Sequence, residues 1–232
     1  GDVYKRQIVV MEGPNNASVD WFKITIEGKS AHVSTPQLGV DAAYIASQIV
    51  VALQALITRK TSPMDNVLIG VGKINAGTAY NVVAQKAEIE GTIRVFTPEI
   101  RKETKHNLET LAKSIATIYG GSATLEWKDF TSPLINDKIA SLEARKVAVS
   151  LFGKEKVITQ RQPALGGDDF AEFIINVPGV YAYVGSRNQD IYETTVAHHN
   201  SHFDIDESCL KVAVSMYACY AIEYLNDEIQ SD

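Results

Sequence analysis

Cysteine is scarce in this chain of 232 residues, which carries only Cys209 and Cys219. They fall ten positions apart in one predicted helix, about 15 Å along its axis, too far to bridge each other. A disulfide framework is therefore excluded, and two free thiols point to a reducing cytoplasm. Long apolar runs are missing too: none reaches the roughly 18 residues that span a bilayer. The N-terminal residues do not read as a secretory signal, so no membrane partner is expected. Positive charge is thin, with 22 Lys and Arg against 28 Asp and Glu and a formal net charge of -6. With no dense basic patch, a nucleic-acid partner is not expected either. Repeats and low-complexity segments are absent.

What is present is an ordinary globular composition, 45% apolar and 22% charged, long enough for one large domain or two small ones. Residues 1–18 begin with "GDVYKRQ", which has no usable periodicity, and they read as a remnant and linker. From 19 to 27, "VDWFKITIE" alternates strictly, with Phe22, Ile24 and Ile26 on one face of a strand. Apolar residues then recur at helical steps from Val40 to Ile57, through Ile45, Ile49, Leu53 and Leu56. "NVLIGVGKI" and "KAEIEGTIRVF" read as strands around the turn-like "NAGTAYN". A second helix starts at Thr97 as cap with Pro98 at its first position, and Gly120 and Gly121 stop it. "SATLEWKDF" is a fourth strand.

The order β-α-β-β-α-β is the split βαβ, or ferredoxin-like, arrangement: a four-stranded antiparallel sheet with two helices on one face. It occupies residues 19–129. Beyond "TSPLIND" the texture changes. A helix near 137–152, the short apolar strands in "KVIT" and "GVYAYVG", and a long helix from about 206 suggest an α/β layer with few strands of its own.

Several polar groups invite a chemical reading, and each has a plain structural one. His32, in "GKSAHVSTPQLGVDA", follows a strand and is crowded by Ser30, Ser34 and Thr35. It could donate a hydrogen bond or move a proton, or it is simply a polar loop residue. Asn81 and Arg94 could converge on a carbonyl or carboxylate, or belong to an ordinary hairpin. Asp168, in "GGDDF", suits a helix N-terminus. In "HHNSHFDIDES", Asp204 or Asp206 suits the cap of the last helix. His199 and His202, at i and i+3, supply two metal ligands at most, and a solvated loop satisfies the same pattern.

Together the segments "GKSAHVSTPQLGVDA", "GTAYNVVAQKAEIEGTIR", "SPLIND", "GGDDFAEF", "PGVYAYVG" and "HHNSHFDIDE" resemble, in order, the amidohydrolase branch of the M20 metallopeptidases. That branch contains hippurate hydrolases, indole-acetyl-amino-acid hydrolases and N-acyl-amino-acid deacylases. The resemblance implies a lid or dimerisation domain over 19–129 and the C-terminal part of an α/β zinc-peptidase-like catalytic domain over 130–232. His199 matches the family's last metal ligand. His32 matches the lid histidine that polarises the scissile carbonyl in the partner subunit's site, and Asn81 and Arg94 match lid positions near the substrate. Asp168 stands where the family usually has glutamate.

The implied activity is release of amino acids from N-acyl amino acids by two divalent ions (zinc, manganese or cobalt), in a homodimer formed through the lid. The family's "H-x-C-G-H-D" segment and paired glutamates do not occur here. On that ground the chain is expected to be a fragment, inactive by itself and holding no metal tightly. The rival expectations are a non-catalytic dimerisation or interaction module, and an M20 di- or tripeptidase.

Overall fold

The structure, a computed structural model, describes residues 7–226. In chain order the strands are β1 (Ile8–Val9), β2 (Gly13–Asn16), β3 (Val19–Glu27), β4 (Val67–Ala76), β5 (Lys86–Val95), β6 (Ser122–Thr131), β7 (Leu134–Asn136), β8 (Val157–Ile158) and β9 (Tyr183–Val184). The helices are α1 (Ala42–Ala55), α2 (Pro98–Ile118), α3 (Lys138–Phe152), α4 (Phe170–Phe173) and α5 (Ser208–Leu225). They divide into two compact units. One holds Asn16–Leu134 with Ala164–Ala171; the other holds the residues up to Asn15, then Ile135–Pro163 and the residues from Glu172 on.

In the first unit β4, β5, β3 and β6 lie side by side in that order, every neighbouring pair antiparallel. The alternation of β3 turns Phe22, Ile24 and Ile26 inward, all fully buried. α1 begins at Asp41, whose carboxylate accepts from the Ala43 and Tyr44 N–H groups, the N-cap arrangement that satisfies otherwise orphaned donors. Ile45, Ile49, Leu53 and Leu56 form its inner stripe. With its widened last turn, the helix from Ala42 to Lys60 has the length and composition of a membrane span, yet this stripe is already used against the sheet. α2 is capped by Thr97, which accepts from Ile100 N–H, and contributes Leu108, Ala112 and Ala116. Full burial of each Leu, Ile or Phe side chain contributes about 1.5–3 kcal/mol.

Polar chemistry closes one end of this core. Asp20 is fully buried and takes Arg101 Nε at 2.9 Å, Arg101 Nη2 at 2.5 Å and the Ser18 hydroxyl at 2.8 Å. Arg101 also donates to the Thr131 carbonyl at 3.1 Å, so one guanidinium ties the starts of β3 and α2 to the end of β6.

The second unit is built on a three-stranded sheet in the order β8-β1-β9, with β1 parallel to β8 and antiparallel to β9. Here the structure departs from the sequence reading. Residues 1–6 lie outside the described residues, but Ile8, Val9 and Val10, which that reading placed in a remnant and linker, are buried at 0 to 1% exposure. Ile8 and Val10 pack with Ala144 and Ala148 of α3 and Val212 of α5. The signal was the four-residue apolar run Ile8–Met11, too short to tell strand from helix by period but sufficient for a buried strand. Asn136 holds this unit's segments together: its side chain donates to Met11 and Tyr181 carbonyls at 2.7 and 2.9 Å and accepts from Tyr181 N–H at 2.8 Å.

The unit boundaries also differ from 19 and 129. The chain passes between units after Asn15 and after Leu134, and Ala164–Ala171 returns to the four-stranded unit. Ala17 N–H donates to the Ala164 carbonyl at 2.9 Å. A Cβ on Gly167 would lie 2.2 Å from Val19 Cγ2 and 2.4 Å from Thr131 Oγ1, so only glycine lets this segment approach so closely.

Candidate functional site

Two loop segments of the four-stranded unit pair just beyond its regular strands. His32 bridges Val82 in antiparallel sense. Val33 N–H donates to the Asn81 carbonyl at 3.2 Å, and Val83 N–H to the Ala31 carbonyl at 2.8 Å. Residues 49 positions apart in sequence, His32 and Asn81, thus stand on neighbouring strands of one small ladder. Both are exposed, and the Asn81 side chain has no hydrogen-bond partner among the described residues. Tyr80, beside Asn81, is 98% exposed; nothing in the alternation pattern had singled it out.

The chain turns sharply after His32. Thr35 N–H donates to the His32 carbonyl at 2.8 Å, and the Thr35 hydroxyl reaches the same oxygen at 3.3 Å. Within this turn Ser34 N–H donates to His32 Nδ1 at 3.1 Å, and the Ser34 hydroxyl lies 2.6 Å from that nitrogen. The other ring nitrogen, Nε2, has no partner among the described residues and is open to a ligand.

Arg94 lies elsewhere on the same unit. It follows Ile93 in β5, opposite Leu68 of β4, and its Nη1 donates to the Leu165 carbonyl at 3.4 Å. That contact places the guanidinium on the returning "LGGDDF" segment. Asp168 there accepts from Phe170 N–H at 3.0 Å, the capping geometry expected at the start of α4. Among the described residues no hydrogen bond joins Arg94 to Asn81.

His199 belongs to the other unit. It is exposed, in the left-handed region at φ 64°, a conformation that costs an L-residue about 1–2 kcal/mol. Its neighbours are well anchored: His198 stacks on Phe203 with ring centroids 4.6 Å apart, and Asn200 accepts from His202 N–H at 2.9 Å. Asp206, one residue before the Glu207 N-cap of α5, accepts from Ser208 N–H at 2.9 Å and also takes the Asn188 amide at 2.7 Å. Among the described residues no group of three or more His, Cys, Asp or Glu side chains is placed to hold a metal ion. The donor set does not fit a two-metal centre.

This arrangement can be set beside known proteins. Residues 16–120 match the family model of the M20 peptidase dimerisation domain. The N-acetylcysteine deacetylase of Bacillus subtilis (strain 168) is 33% identical over 93% of this chain and 54% of its own length. The matched segment, residues 16–120, belongs to the M20 peptidase dimerisation-domain family. IAA-amino acid hydrolase ILR1-like 4 of Arabidopsis thaliana is 30% identical over 94% of the chain and 50% of that relative. Among solved structures, a dinuclear metal-binding M20 peptidase of Bacillus subtilis superposes with a TM-score of 0.79 at 29% identity, covering 97% of this chain and 55% of that one. A Staphylococcus aureus tripeptidase shares the fold, with a TM-score of 0.68 at 22% identity over 93% of this chain and 54% of its own. The chain spans about half the length of the curated relatives it matches. Its relatives are hydrolases of the amidohydrolase and peptidase type.

Proposed function

We propose that this polypeptide provides the lid and part of the catalytic layer of an M20 amidohydrolase that releases amino acids from N-acyl amino acids. The observation that carries the proposal is the ladder between residues 31–33 and 81–83. It holds His32, whose Nε2 is free, on an exposed strand directly opposite Val82 and one residue out of register with Asn81. An exposed Nε2 suits a carbonyl oxygen, to which His32 donates as negative charge develops; Asn81 is proposed to orient the substrate amide on the family resemblance alone. Arg94 is proposed as a carboxylate-binding residue on the family resemblance alone, since its contact here is with Leu165.

The strand order β4-β5-β3-β6 and the β-α-β-β-α-β sequence of elements support a ferredoxin-like lid. Homodimerisation is supported by the matched dimerisation domain. The exposed edge of β4, with Leu68 and Ile74 at 40 and 51% exposure, is a suitable surface for pairing with a second copy. In that dimer His32 would serve the partner subunit's site. His199 is proposed as one imidazole ligand for zinc, manganese or cobalt; one imidazole does not make a centre. The two free cysteines support a cytoplasmic setting.

The proposal has two separable tests. Residues 16–134, grafted in place of the lid of the Bacillus subtilis N-acetylcysteine deacetylase, should sustain hydrolysis of N-acetyl amino acids. A folded, dimeric and metal-loaded graft without turnover counts against the lid reading. The chain alone, dialysed after exposure to zinc, manganese or cobalt, should retain no stoichiometric metal and turn over neither hippurate nor N-acetyl amino acids. Chelator-sensitive turnover with two retained ions would overturn the second half.

A further inference from the structure

We propose that Ser34 is a positioning residue that fixes the tautomer of His32, so that Nε2–H is the ring's single donor; this rests on the reading of His32 above. A backbone N–H can only donate, and the Ser34 N–H lies 3.1 Å from Nδ1. Nδ1 must therefore present its lone pair. The Ser34 hydroxyl, 2.6 Å from the same nitrogen, then turns its own hydrogen toward it. In a neutral imidazole one nitrogen carries the proton and the other accepts, so the proton is placed on Nε2.

The backbone makes this arrangement rigid. The turn closed by Thr35 N–H on the His32 carbonyl holds the Ser34 amide beside Nδ1. The bridge to Val82 holds His32 from the other side. A ring free to exchange tautomers would offer Nε2 as an acceptor part of the time, and an acceptor repels a carbonyl oxygen. With Nδ1 occupied by two donors, the exposed nitrogen meets that oxygen only as a donor. The ligand chemistry that suits it is an amide carbonyl gaining negative charge.

The test is made on the full chain, labelled with ¹⁵N, at alkaline pH where imidazoles are neutral. The His32 ring signals are assigned by their loss in His32→Gln. The expected spectrum has Nδ1 unprotonated and Nε2 protonated, with no detectable Nδ1–H form, whereas the exposed His106 shows both tautomers. Ser34→Ala removes the hydroxyl and keeps the amide, and should raise the Nδ1–H fraction of His32 several-fold. Ser34→Thr should restore the wild-type spectrum. A His32 mixture like that of His106 would overturn the assignment, and no change in Ser34→Ala would overturn the hydroxyl's part in it. None of these signals needs substrate or metal. If His32 does not act on the carbonyl, that failure appears separately, as undiminished kcat when the lid graft carries His32→Ala.

Discussion

At the scale of single residues, the most consequential interaction in the four-stranded unit is the carboxylate of Asp20 on Arg101. Burial pushes the Asp20 carboxyl up from its ordinary range, and hydrogen bonds from Arg101 and Ser18 pull it back down. Asp20→Ala leaves the Arg101 guanidinium, at 16% side-chain exposure, with only the exposed Asp129 carboxylate at 3.3 Å as counter-charge. Removing one partner of such a pair costs about 3–5 kcal/mol, so the urea midpoint should fall sharply; a change under 1 kcal/mol would show the pair to be dispensable. Gly91 is a second sensitive position. A Cβ there would lie 2.3 Å from the Gly70 carbonyl and 2.5 Å from Phe22 Cζ. Gly91→Ala should therefore destabilise by about 1–3 kcal/mol through overpacking, read as a lower Tm, and a neutral outcome would contradict the packing. At His32, loss of the proposed donor should cost about 2.7–4 kcal/mol of transition-state stabilisation, a hundred- to a thousandfold in kcat. Bound metal in an active lid graft should be unchanged; loss of metal along with activity would reassign the residue.

At the scale of elements, α3 and α5 meet through a polar contact whose pH dependence is readable. Tyr220 donates to Glu143 Oε2 at 3.3 Å. Burial, then the negative charge and hydrogen bond of Glu143, raises its phenol pKa to about 12. The folded value lies above the ordinary phenol value of about 10, so folding favours the protonated form. That contribution is complete below about pH 10 and is lost as pH rises through 12. Ultraviolet titration should show a late phenol lost in Tyr220→Phe and separate from the Tyr119 phenol, which its contact with Tyr44 also raises; an unchanged titration in Tyr220→Phe would assign the late phenol elsewhere.

The edge strand β4 makes a different prediction. Its register against β5 shifts between Val71 and Lys73, and a Cβ on the intervening Gly72 would meet nothing within 4 Å. Gly72→Asp should leave the monomer folded while placing like charges across a self-paired edge. Sedimentation should show at least a roughly tenfold weaker dimer. An unchanged dimer would move the interface off this edge.

At the scale of the whole molecule, the two units have separate cores. One is centred on Phe22, Ile24, Ile89 and Leu108, the other on Ile8, Val10 and Ala148. A segment with its own core is expected to fold alone. Expressed by itself, 16–134 should show a cooperative transition and self-associate. Adding back 164–171 as a peptide should raise its Tm, because that segment packs on Ala17, Val19 and Thr131. An unfolded 16–134 rules out independence; a folded but strictly monomeric one rules out association through this unit.

Local pattern was enough for the elements of the four-stranded unit. The strict period of 19–27, the stripe Ile45–Ile49–Leu53–Leu56, and the caps at Thr97 and Gly120 each act within one or two turns of chain, so they are legible in sequence. His32 and Asn81 were legible as candidates because their segments matched a family pattern. Their juxtaposition was not, because the pairing of 31–33 with 81–83 closes a loop that no periodicity records. Ser34 was visible only as a polar neighbour; its amide's direction toward Nδ1 depends on a turn. The role of Ile8–Val10 was hidden for a related reason: a two-residue strand has no period, and its partners come from residues 157–158 and 183–184. Tertiary structure also decided that Arg94 meets the Leu165 carbonyl and that 164–171 leaves its sequence neighbours for the other unit. Both follow from a close approach at Gly167, which composition cannot foretell because it depends on which backbone arrives there.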